Sequence, residues 1–157
     1  MVDIVSKNGM LLLNIGPKSD GTITDEETTV LKEIGAWLKI NGEGIYETIP
    51  WRQFGEGNVN NSEGSFQDND EKLFTSEDYR FTYKNGFLYA FCMRPDTSDF
   101  CIKSLKIRGS YDFVTGSISV LGNYKIINTN RDKQGLFITL DKKPDSDTPL
   151  CFKIEII

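Results

Sequence analysis

The stretch Met10-Leu-Leu-Leu-Asn-Ile15 most constrains how this chain can fold. It is an almost unbroken apolar run, closed by Gly16-Pro17 and again by Asp20-Gly21. Such a run, bounded by turn formers, reads as a strand buried on both faces. Strands of that kind belong to parallel sheets, with a neighbour on each side and helices above and below. The residues around it fit such a setting. Val2, Ile4 and Val5 followed by Ser-Lys-Asn-Gly read as the last turns of a helix over 1–8, ended by Asn8-Gly9.

The clearest helix follows. Thr24 and Glu27 have the spacing of a capping box, and Asp25 and Glu26 favour the positive end of the helix dipole. Val30, Leu31, Ile34, Trp37 and Leu38 recur at helical spacing, and Asn41-Gly42 is expected to close the helix. Helix tail, buried strand, loop and helix make one unit of an α/β protein.

After Pro50-Trp51 the pattern changes. Residues 55–72 are rich in Gly, Asn, Ser and acidic residues and read as a solvated loop. From Tyr79 onward the signals are those of strands. YRFTYK and FLYAFC flank Asn85-Gly86, the strongest short-range hairpin signal. Further strands are expected at 101–107, 117–121, 124–128, 135–140 and 150–157, a spacing typical of an antiparallel sandwich. None of these hairpin segments offers a parallel partner to 10–15. Leaving its apolar side chains in water would forfeit about 1.5–3 kcal/mol each, so its neighbours are expected upstream of Met1.

Composition narrows the chemistry. The chain of 157 residues has no histidine, which excludes Ser-His-Asp and Cys-His nucleophile systems and every histidine-based metal site. A net charge of -5 argues against nucleic-acid binding. No apolar run approaches the roughly 20 residues that span a bilayer. Cys92, Cys101 and Cys151 lack metal-ligand spacing and sit in apolar, strand-like stretches, where small core residues are the favoured reading; a Cys92–Cys101 bridge across a hairpin stays open. No metal or cofactor is expected.

Three blocks carry a resemblance: VDIVSKNGMLLLNIGPKSDGTI, IGAWLKINGEGIYETIPW and, near the C-terminus, GLFITLDKKPDSDTPLCFKIE. They resemble the α-L-fucosidases among the glycoside hydrolases. The likeness covers almost the whole chain and is weakest at 52–78 and 96–130. Met10, where the family usually has Asn, and Glu47, where Gly is common, depart from its pattern. The resemblance implies an α+β fragment: the last β/α unit of a (β/α)8-like barrel over 1–48, then an antiparallel β-sandwich over 49–157. Strand 10–15 would be the final barrel strand and 24–40 the final barrel helix. The implied activity is retaining hydrolysis of terminal α-L-fucosyl residues by an aspartate nucleophile and a second carboxylic acid. Both lie on earlier barrel segments, so no catalytic residue falls within this chain. The implied partners are the protein's own N-terminal catalytic barrel and, through it, a fucosylated glycan. The implied location is secreted, periplasmic or lysosomal. A free-standing sandwich that binds carbohydrate or protein without catalysis is the alternative, and a split enzyme completed by another polypeptide is a third.

Within that frame Asn14 is the candidate substrate-binding residue, near the C-terminal end of the strand where barrel active sites are built. The competing reading has it hydrogen-bonded to the Gly16-Pro17 turn. Glu43 and Glu47 are read as linker or solvated carboxylates, and Tyr46 and Trp51 as packing between the two parts. Asp-Asn-Asp-Glu at 68–71 lacks the order of a calcium loop, and Asn60-Asn61-Ser62 matches a glycosylation sequon. The Tyr and Phe of 79–91 suit a sandwich core rather than a sugar-binding face. If no barrel covers it, residues 1–47 should be loosely docked; hydrogen exchange is expected to show 10–15 far less protected than 74–157.

Overall fold

A computed structural model describes residues 1–59, 73–109, 114–144 and 148–157. The sequon at 60–62 and the acidic run at 68–71 lie outside them. The chain is α+β, with few helices and two antiparallel sheets. Helix α1 (Val2–Ser6) and helix α2 (Asp25–Asn41) precede all the strands, and a 3-10 turn (Gly42–Gly44) follows α2. The strands are β1 (Ile49–Glu56), β2 (Tyr79–Lys84), β3 (Phe87–Cys92), β4 (Asp99–Ile102), β5 (Thr115–Val120), β6 (Ile126–Arg131), β7 (Leu136–Leu140) and β8 (Leu150–Ile156). One sheet has the order β1-β2-β3-β8-β5 and the other β4-β7-β6.

Local chemistry accounts for most of these boundaries. The Thr24 hydroxyl accepts from Glu27 N–H at 3.1 Å, and the Glu27 carboxylate accepts in return from Thr24 N–H, completing the capping box. At the end of α1, Asn8 takes the left-handed conformation at φ 62°. Asn8 N–H donates to Val5 O at 3.0 Å and Gly9 N–H to Ile4 O at 2.8 Å, the two bonds of a Schellman stop. The β2–β3 hairpin turns on Asn85 and Gly86, both at positive φ, as a two-residue primed turn requires.

Asn41-Gly42 closes α2 as expected: Gly42 stays right-handed at φ -60° and leads into the 3-10 turn, and a left-handed residue follows at Glu47 (φ 58°). Two expectations need correction. Strand β4 ends at Ile102 and gives way to a 3-10 turn at Lys103–Leu105, because Glu56 captures the N–H groups of Lys103 and Ser104. Strand β1, for which no strand was expected, takes in Gly55 and Glu56 from the stretch expected as a solvated loop. Its Pro50 removes a backbone donor, which an edge strand tolerates, and β1 is an edge.

The two sheets pack face to face. Tyr79, Phe81, Leu88, Phe152 and Ile154 from the larger sheet meet Phe100, Ile102, Ile138 and Leu140 from the smaller, and the rings of Phe100 and Phe152 stand edge to face at 5.0 Å. The outer face of the larger sheet is buried as well. There Tyr89, Phe91 and Cys151 form a second core with Val2, Ile45, Trp37 and Leu38. Strands β2, β3 and β8 are therefore covered on both faces, by the smaller sheet on one side and the N-terminal segment on the other. Truncating Phe152, which is wholly buried, to alanine should lower unfolding free energy by about 3–5 kcal/mol; urea denaturation measures it.

Candidate functional site

Residues 1–48 are held to the sandwich at three places, and the apolar run Met10–Leu13 between the first two is uncovered. The first anchor is Arg80 on β2, whose side chain is 1% exposed. Its Nε donates to the Asp3 carboxylate on α1, Nη1 to Tyr79 O at 2.9 Å and Nη2 to Val59 O at 2.7 Å. The guanidinium lies 5.4 Å and 5.3 Å from the ring centroids of Phe54 and Phe74. Lys7 adds a second cation to Asp3 at 3.0 Å. Burial pushes the Asp3 carboxyl up, but the hydrogen bonds and charges of Arg80 and Lys7 outweigh it and hold the group below its ordinary 3.8.

The second anchor is the Trp37 indole of α2, which donates to Pro149 O at 2.9 Å and lies against Phe91. The third is the 3-10 turn. Gly44 O accepts from the buried Thr82 hydroxyl at 2.6 Å. A Cβ on Gly44 would meet the Phe91 ring at 2.7 Å, so only glycine lets the turn come this close. The Glu43 carboxylate accepts from Tyr89 OH at 2.8 Å and pairs with Lys153. Its hydrogen bonds from Lys153 and then Tyr89 lower its pKa. Glu43 and Glu47, the latter paired with Lys84 at 2.9 Å, are thus partners of sandwich lysines. Set against the expected loose docking of 1–47, these contacts fasten both ends of the unit, while 10–14 between them is exposed.

The apolar run between the anchors is in no strand of the structure. It is irregular, and it is exposed: Met10 by 94% and Leu12 by 91%. Leu11, Leu13, Val30 and Ile40 are also exposed, so the apolar face of α2 is only partly covered. A cleft of about 210 Å³ separates the run from α2, with Leu13, Asn14 and Ile15 on one wall and Val30 and Leu31 on the other. Asn14 is exposed on this wall. The Gly16 N–H of the following turn donates to Glu27 at 3.0 Å rather than to Asn14. An uncovered apolar strip of this extent marks an interaction surface.

Other candidates resolve into structure. Cys92, Cys101 and Cys151 are free thiols, so the Cys92–Cys101 bridge is absent. Burial raises all three, Cys92 to about 12, which disfavours the nucleophilic thiolate. Tyr79, Phe81, Tyr89 and Phe91 are buried and offer no sugar-stacking face. Trp51 packs on Phe81 at 5.4 Å, while Tyr46 is exposed. Among the described residues no group of three or more His, Cys, Asp or Glu could hold a metal. The Arg80 cluster was missed at the sequence level; an arginine inside the aromatic strand YRFTYK was its only signal.

Asp3 sets a pH dependence. Its folded pKa is lowered, so the stabilisation it provides is complete above the unfolded value and is lost as pH falls through the folded one. Protection of the Gly9 amide should therefore hold from pH 8 to about 5 and fall below about pH 4, as hydrogen exchange would record.

Comparison with known proteins agrees with this anatomy. The family profile Alpha-L-fucosidase matches residues 1–43. The human tissue alpha-L-fucosidase is 33% identical over 154 residues, covering 97% of this chain and 28% of that protein. The human plasma alpha-L-fucosidase is 54% identical over 52 residues, 33% of this chain and 11% of that protein. The crystal structure of Thermotoga maritima alpha-fucosidase in complex with a mechanism-based inhibitor superposes with a TM-score of 0.63 at 26% identity. That superposition covers 98% of this chain and 32% of the other. The chain thus spans about a third or less of the length of these relatives. It belongs to the alpha-L-fucosidase family and corresponds to the C-terminal part of its members.

Proposed function

We propose that this chain supplies the final β/α unit and the accessory β-sandwich of an α-L-fucosidase that releases terminal α-L-fucosyl residues with retention. The observation that carries the reading is the exposed run Met10–Leu13, which is apolar on both alternating sets of side chains and has no pairing partner among the described residues. Residues 1–48 are the strand and helix that close the barrel, and 49–157 the domain that braces it. The partner of the run is a catalytic barrel of the same protein, whose flanking strands satisfy its backbone and whose core covers its leucines.

In a retaining mechanism an aspartate attacks the anomeric carbon to form a fucosyl-enzyme. A second carboxylic acid protonates the leaving oxygen and then deprotonates the incoming water. Both groups belong to barrel segments outside this chain, and this chain contributes neither. Its own contribution near the glycan is Asn14, at the C-terminal end of the closing strand, where it contacts the sugar region or orients a catalytic loop.

The purified chain alone should not turn over a 4-nitrophenyl α-L-fucoside. Turnover that tracks the chain through purification would overturn the proposal. Peptide mapping of the native protein should find sequence running upstream of Met1; a native chain starting at Met1 would favour the free module or the split enzyme.

A further inference from the structure

We infer that Arg80 is a positioning residue that fixes the direction in which residues 10–15 leave the sandwich. This goes beyond the fucosidase reading and does not depend on it.

Helix α1 spans Val2–Ser6, and its orientation on the larger sheet depends on the contacts it makes there. Of α1's apolar side chains only Val2 is buried and Val5 partly so, a small apolar footprint that leaves rotation on the sheet weakly determined. Arg80 supplies what apolar contact lacks. Its donors point to three separate segments: Asp3 on α1, Tyr79 O in its own strand and Val59 O after β1. The rings of Phe54 and Phe74 lie within cation–π distance of the guanidinium. Asp3 is fixed in turn by Lys7, and the Ser6 hydroxyl donates to Asp3 O at 2.9 Å.

Immediately after Lys7 the Schellman stop at Asn8 and Gly9 ends the helix and leads into Met10. A rotation of α1 is thus transmitted directly to Met10. Replacing a buried ion pair by apolar side chains is commonly neutral or stabilising. Stability therefore does not call for Arg80 here, whereas directional bonds to three segments define one orientation.

The test is amide hydrogen exchange on the intact chain. In Arg80→Met the amides of Val5, Asn8 and Gly9 should exchange at least about ten-fold faster, while those of Leu140 and Ile156 in the sandwich stay within about two-fold. Asp3→Asn, which leaves the bonds of Arg80 to Tyr79 and Val59, should release α1 in the same way. The deciding variant is the apolar pair Asp3→Leu with Arg80→Met. Its melting temperature should match or exceed the parent's while the α1 amides stay fast. Recovery of α1 protection in that pair would show that filled volume is sufficient and overturn the inference. So would unchanged α1 exchange in either single variant, or a loss of sandwich protection in Asp3→Asn equal to that in α1.

Discussion

A guanidinium buried between two phenyl rings joins the N-terminal segment of this chain to its sandwich. Arg80 sits on the outward face of β2, between Tyr79 and Phe81, which point into the sandwich core. The alternation of side chains along one strand thus assigns neighbouring residues to different tasks. Odd positions build the sandwich, and the even positions Arg80 and Thr82 receive α1 and the 3-10 turn. A charge in this place is tolerable because it is paired with Asp3 and each terminal nitrogen donates to a carbonyl.

That arrangement makes the larger sheet buried on both sides at its centre. Antiparallel sheets often keep one face in water, but β2, β3 and β8 do not. Trp37, Ile45 and Val2 cover the outer face of this sheet, and the second core they form with Phe91 and Cys151 ties the helical unit to the sandwich. The unit is consequently rigid at its two ends and uncovered in its middle. A strip of leucines held in this way is suited to entering a larger apolar structure, which is the physical content of the barrel-closing proposal.

Several features were legible in the residues alone. The capping box at Thr24, the hairpin at Asn85-Gly86 and the strands β7 and β8 follow from short-range rules, and the structure has them where expected. The edge strand β1 was not legible, since Pro50 and the polar residues around it resemble a connector until β2 pairs with them. Nor was the end of β4, which depends on Glu56, some 47 positions away in sequence, reaching the Lys103 N–H.

By itself the sequence determined the local elements, the absence of histidine chemistry and the apolar character of residues 10–15, because each rests on residue types close together in the chain. Only the tertiary structure decided which polar groups are structural. Nothing in the sequence pairs Asp3, Glu43, Thr82 and Arg80 with the partners that give them their roles, which lie 38 to 110 residues away. It also decided that the apolar run stays exposed. Whether a hydrophobic segment is covered depends on what folds against it, and among the described residues no strand pairs with it.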